Sequence, residues 1–267
     1  MYLTRGMRVT LRIITAVVLT VVYVPLLVVV INSFNSDRTF GWPPAGFTLE
    51  WWSRAVHNAG ALEALRTSVV VGLLSTAVAL VLGTLAAMSL QRYRFFGREA
   101  VSLLVILPIA LPGIVTGIAL NNGFRTVLGL PLSLLTLVVA HATFCVVVVF
   151  NNVIARLRRL GGNLEEASMD LGADSFTTFR RVTFPLLRTA LLAGGLLAFA
   201  LSFDEIIVTR FTASQTTTTL PLWILDNLFR PNQAPIVNVV ATVLVIASVI
   251  PIAIAQRLSG DPSGGRV

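Results

Sequence analysis

The sequence contains no lysine: every one of its 20 basic residues is arginine. That absence excludes an ordinary Walker A nucleotide site, because the G-x4-G-K-[ST] loop needs a lysine at the phosphates. Cysteine is nearly as scarce. Cys145 stands alone inside an apolar run, which rules out a disulfide framework and leaves it as a small packed hydrophobe. The two histidines, His57 and His141, are too few and too separated for a metal site. No carboxylate–histidine spacing points to hydrolysis, so the chain reads as a non-enzyme with no cofactor or metal of its own. Charge is sparse too. Charged residues are 12 % of the chain and hydrophobic ones 55 %, with mean hydropathy +0.85, whereas soluble domains are charged at about a quarter of their positions.

What is present is length without charge. Six segments, roughly 10–32, 67–91, 100–121, 130–155, 186–208 and 236–257, approach the ~20 apolar residues that cross a bilayer as a helix. Each must be helical, since backbone groups in lipid need partners within their own segment. The expected fold is an all-α membrane protein of six transmembrane helices, one domain over residues 1–267. Arg5, Arg8 and Arg12 precede the run Ile13–Ile31, which is too long for a signal-peptide core and predicts a retained first span. Pro25, Pro108, Pro112 and Pro251 predict kinks, above all in the third span, LPIALPGIVTG. Its Gly and Pro residues read either as packing features or as bends lining a pathway.

Orientation follows from arginine. With the N-terminus inside, fourteen arginines fall on the cytoplasmic side and six outside; the loops are short enough for the positive-inside rule to apply. Both termini are then cytoplasmic. The net charge of +8 is spread over loops between apolar runs, which fits membrane topology and not a nucleic-acid groove. Outside, GWPPAGFTLEWW places Trp42, Trp51 and Trp52 as expected interfacial anchors. The stretch 221–229 is too short to span and predicts a re-entrant or interfacial helix.

The same topology puts residues 156–185 in the cytoplasm. Leu164–Leu171 can form two helical turns with Glu165, Glu166 and Asp170, and acidic residues near a helix start suit its dipole and offer partners to basic groups. Ala167 and Ser168 permit close approach. Gly172 allows a turn where a Cβ would clash. A second helix is expected from about Ser175 to Thr183, with Pro185 in the first turn of span five. An interfacial amphipathic helix is the plainer reading of such a loop; a docking element for another protein is the other.

The residues Glu166, Ala167, Ser168, Gly172, Val182, Phe184 and Pro185 follow the pattern E-A-A-x3-G-x9-I-x-L-P, with Ser, Val and Phe as mild departures. In this the loop resembles the cytoplasmic coupling loop of bacterial ABC import permeases. GFTLEWW, the run Ala61–Ala87, LSFDEIIVTRF and TTTTLPLWI extend the resemblance to the spermidine/putrescine permease group of type I importers. The resemblance implies a permease subunit in the bacterial inner membrane. It further implies a second permease, two copies of a cytoplasmic ATPase that bind ATP and Mg, and an extracytoplasmic substrate-binding protein. Glu165, Glu166, Ala167, Ser168, Gly172 and Pro185 would then belong to the ATPase contact, with Phe176 and Phe179 as candidate anchors. Relatives of the group carry iron(III), aminoethylphosphonate, sulfate or opines, and a stand-alone secondary transporter is the alternative from another class.

Asp204 and Glu205 sit near the outer end of the fifth span. Carboxylates at membrane depth are costly and face a cavity or a partner. They read either as contacts for a cationic substrate at an outer gate or as a structural pair with Arg210. Asn121, Asn122, Asn151 and Asn152 read as end markers of spans, and His141 as a hydrogen bond across helices.

Overall fold

The computed structural model describes residues 4–38, 42–160, 163–230 and 232–258, with side-chain environments up to 248. Among these residues the regular structure is helical, apart from one isolated antiparallel bridge between Asn35 and Phe47. The chain divides into two compact units, Met1–Leu62 with Ile224–Val267, and Glu63–Trp223.

In the first unit, α1 (Arg5–Asn32) starts at Thr4, whose hydroxyl accepts from the Met7 amide at 3.4 Å. Up to Leu27 its apolar side chains are exposed; Val17, Val21, Tyr23 and Leu27 are each more than half exposed. A helix this apolar and this bare is stable only with lipid around it. At its end the chain turns into polar packing. Trp51, on α2 (Glu50–Val56), is buried and donates its indole N–H to the Asn35 carbonyl at 2.8 Å. Trp52 stacks on Phe34 at 5.2 Å. Of the three tryptophans expected as interfacial anchors, Trp42 is exposed, while Trp51 packs inside the protein because its indole has a backbone partner there.

The second unit carries α3 (Ala59–Arg92), then α4 (Arg98–Ala110) and α5 (Gly113–Asn122), which runs on into a π turn at Gly123–Val127. The sequence predicts a kinked span over 100–121, and the structure breaks it outright: α4 and α5 meet at 107°. Pro112 supplies the cause, since it pushes Leu111 into the extended conformation (φ −81°, ψ 143°) and no helix continues through it. The core is α6 (Leu134–Leu160), where Leu137, Ala140, His141, Cys145, Val147, Val149 and Val153 are all fully buried. Cys145 sits there as a packed thiol donating to the Ala198 carbonyl at 3.3 Å.

Beyond α6 come α7 (Asn163–Asp170), α8 (Ser175–Thr178), a π turn at Phe179–Thr183, and α9 (Phe184–Phe203). From Ser175 to Phe203 the helix is continuous. The fifth span therefore stops at Phe203 and not near 208, because Asp204 to Ile206 interrupt it before the short α10 (Ile207–Thr212). The short helix expected at 221–229 is α11 (Leu220–Asn227), and α12 (Ala234–Leu258) packs on α1 and α2. Among the described residues four runs, α1, α3, α6 and 175–203, are long and apolar enough to cross a membrane, and the bent α4–α5 pair is a fifth candidate.

Candidate functional site

The 163–185 segment is a helix–turn–helix built from local chemistry. α7 ends in a Schellman turn: the Gly172 amide donates to the Met169 carbonyl at 2.9 Å and the Ala173 amide to Ser168 at 3.1 Å. This geometry needs a left-handed residue, and Gly172 has φ +86°. A Cβ at Gly172 would meet nothing within 4 Å. The glycine is thus required by backbone conformation and not, as the sequence led us to expect, by crowding. Two residues on, Asp174 caps α8 by accepting from the Thr177 amide at 2.9 Å. The Thr177 hydrogen bonds hold its carboxyl below the usual aspartate range. The cap is complete above the ordinary aspartate pKa and is lost as pH falls through the lowered one. Ser168 and Thr178 hydroxyls tie the two helices at 3.1 Å.

A second set of bonds fixes the segment to the spans. Arg92, at the end of α3, pairs with Glu165 of α7, and Thr183 also bonds Glu165, at 2.5 Å. Arg92 reaches Thr183 at 3.3 Å. Of the candidate contact residues, Glu165 therefore faces inward as a strut, whereas Glu166, Ala167 and Gly172 are exposed. Leu171 and Phe176 are bare at 90 % and 69 % exposure. Leu171 was not singled out by sequence reasoning, although its place beside the glycine is what lifts it into solvent. Phe179 points elsewhere: it lies 6.1 Å from Phe184 and lines an apolar groove between α3 and α9. Pro185 lies in the first turn of α9, right after the π turn; having no N–H, it cannot extend the regular ladder there.

The strut makes a direct prediction. Breaking it costs about 1–2 kcal/mol, between an exposed ion pair and a charge-assisted buried bond. R92E and E165R should each speed amide exchange over 163–178 by about tenfold. The double variant R92E/E165R should restore protection; no rescue would show that the pair does not hold the loop.

The other concentration of polar chemistry is where α9 breaks. His141 is fully buried and bridges the break, with Nδ1 2.7 Å from the Ser202 hydroxyl on α9 and Nε2 2.9 Å from Thr209 on α10. Thr209 in turn donates to the Glu205 carbonyl at 2.8 Å. That assigns the directions: Ser202 donates to Nδ1, and Nε2–H donates to Thr209. The expected cross-helix hydrogen bond of His141 is present, twice over. Glu205 accepts from the Val208 amide at 2.8 Å and so caps α10, whereas Asp204 is exposed. α10 is pressed on α5, where Asn121 donates to the Phe211 carbonyl at 2.5 Å. At Gly117 a Cβ would come within 2.8 Å of the Phe211 ring; Gly113 and Gly117 form the small-residue stripe that lets the two helices meet. Asn121 is therefore a structural tie and not merely an end marker. Among the described residues, no group of three or more His, Cys, Asp or Glu could hold a metal.

The site thus sits in a multi-helical body with several helices of membrane-crossing length, as a capped helix–turn–helix between two of them. The chain belongs to the family of binding-protein-dependent transport system inner membrane components, whose model matches residues 79–260. It is 35 % identical over 243 residues to the spermidine/putrescine transport system permease PotC of Escherichia coli K12, covering 91 % of each chain. It is 33 % identical over 232 residues to the putrescine permease PotI of the same organism, covering 84 % of this chain and 82 % of that one. In fold it is similar to a bacterial ABC transporter involved in import of the acidic polysaccharide alginate, with TM-score 0.72 over 96 % of this chain and 99 % of that one at 16 % identity. The protein is a multi-pass inner-membrane permease subunit of an ABC importer.

Proposed function

We propose that this permease forms half of a pathway for polyamines, spermidine or putrescine, within an importer of two related permeases, two ATPases and a binding protein. The chain would cross the membrane six times with both termini inside. ATP and Mg belong to the ATPase, since the chain has no lysine to build a phosphate loop. The observation that carries the coupling role is the shape of 163–178: a rigid, capped pair of short helices that presents Glu166, Ala167, Leu171 and Phe176 to solvent. Such a crown offers acidic and apolar groups to a partner while Arg92 and Glu165 relay its position to α3.

The polyamine reading rests on PotC and PotI and on the exposed Asp204 at the α9–α10 break. Glu205 is less suited to meet substrate, because its carboxylate already caps α10. The decisive experiment is ATP hydrolysis by the reconstituted complex with binding protein loaded with spermidine, putrescine, iron(III), sulfate or aminoethylphosphonate. Stimulation by a polyamine, reduced in Asp204→Asn, is the expected result. Stimulation by another ligand would discard the polyamine and keep the importer.

A further inference from the structure

At the arginine-rich end of α6, facing α9, lies a polar cavity of about 470 Å³ lined by Asn151, Asn152, Ala155, Arg156, Arg159, Thr189 and Ala190. Its origin is legible in the helices. Asn152, Arg156 and Arg159 follow at four and three residues, so they share one face of α6. Opposite them α9 offers only Thr189 and Ala190, and with Ala155 these short side chains leave the space open. Two arginines line it and no carboxylate does. Arg156 is half-buried and is held in place by its Nε, which donates to the Leu186 carbonyl of α9 at 3.0 Å. That bond orients the guanidinium and leaves its terminal nitrogens to the cavity.

We propose that this cavity is a phosphate-recognising site. Guanidinium forks match phosphate oxygens two at a time, and a fork already oriented by a backbone carbonyl loses little freedom on binding. Thr189 and the two asparagines add neutral donors. The position is that of a leaflet headgroup. α6 is mostly apolar up to Phe150 and basic from Arg156 on, so on the topology proposed above the cavity sits where hydrocarbon gives way to the cytoplasmic surface, and basic pockets between spans at that depth take anionic headgroups. The two sources of one chemistry are an anionic phospholipid and a soluble phosphate. The site stands whether or not the transported substrate is a polyamine.

The test is native mass spectrometry of the full importer complex, titrated separately with phosphatidylglycerol, phosphatidylcholine and inorganic phosphate. The expected result is retention of phosphatidylglycerol at least tenfold better than phosphatidylcholine, with R159Q and R156Q each weakening it about tenfold. R158Q, which leaves the same helix end basic but does not line the cavity, should bind as the parent does. R159Q alters an exposed side chain, so the test survives if R156Q disturbs the α6–α9 contact. Inorganic phosphate binding with the same arginine dependence, and no preference between the lipids, would keep the site and assign it to a soluble phosphate. Equal binding of both lipids without phosphate binding, or equal loss in R158Q, would overturn it.

Discussion

Gly172→Val is expected to cut binding-protein-stimulated ATP hydrolysis by about tenfold or more while leaving membrane insertion and the spans intact. The Schellman turn fixes φ at +86°, a conformation that costs an L-residue about 1–2 kcal/mol and a β-branched one more. The alternative is to open the turn, which releases the carbonyls of Ser168 and Met169 and lets α7 swing relative to α8. Either way the exposed crown loses its fixed geometry, and each 1.4 kcal/mol removes about tenfold from the docking-competent population. Because a Cβ at Gly172 would meet nothing within 4 Å, the effect should follow backbone preference and not size. Gly172→Asn, which tolerates the left-handed region, should keep most coupled activity; Gly172→Ala should fall between. Stimulated ATPase activity in reconstituted complexes, normalised to the amount inserted, reads this order. Equal activity of the Asn and Val variants would show that the turn does not matter to coupling.

The loop was legible in the sequence because its determinants are local. An acidic helix start and a glycine at a fixed offset each act within one or two turns, and the two helices form on either side of that glycine; the Asp174 cap of the second was found only in the structure. The reason for Gly172 was not legible. A sequence shows that a side chain is absent, but whether space or φ requires the absence depends on coordinates. Span ends were partly hidden for a similar cause. Hydropathy continues from Leu186 through Val208, yet the helix stops at Phe203, where Asp204 and Glu205 turn the backbone and Glu205 starts a new helix by capping it. The inward role of Glu165 was invisible because its partners, Arg92 and Thr183, lie 73 and 18 residues away. Long-range pairing of this kind leaves no periodic trace.

His141→Leu is the second large effect, and it should fall on the α9–α10 break. Leucine fills much of the imidazole volume, so the loss is polar. It removes the bond to Ser202 and the bond to Thr209. In a water-excluded protein core an unpaired hydroxyl costs about 1–3 kcal/mol. In membrane proteins the measured value averages about 0.6 and reaches about 1.7 kcal/mol, because a freed hydroxyl finds a carbonyl of its own helix. Thr209 already has one in Glu205, so the membrane value governs, and two bonds give about 1–2 kcal/mol in all. Thermal unfolding of the purified complex should register that. The functional consequence is of the same size as the stability loss, since these bonds hold the interruption in the fifth span that carries exposed Asp204. Substrate uptake into proteoliposomes should drop by about tenfold, the equivalent of about 1.4 kcal/mol. A double-variant cycle with Thr209→Val isolates the bond: coupling of about 0.6 kcal/mol or more is expected. Ser68→Ala, which removes a partner of the Leu220 amide instead, should add independently to His141→Leu. Additivity with Thr209→Val would mean that the His141–Thr209 bond contributes nothing, and that the broken span is held by the contact of α10 with α5.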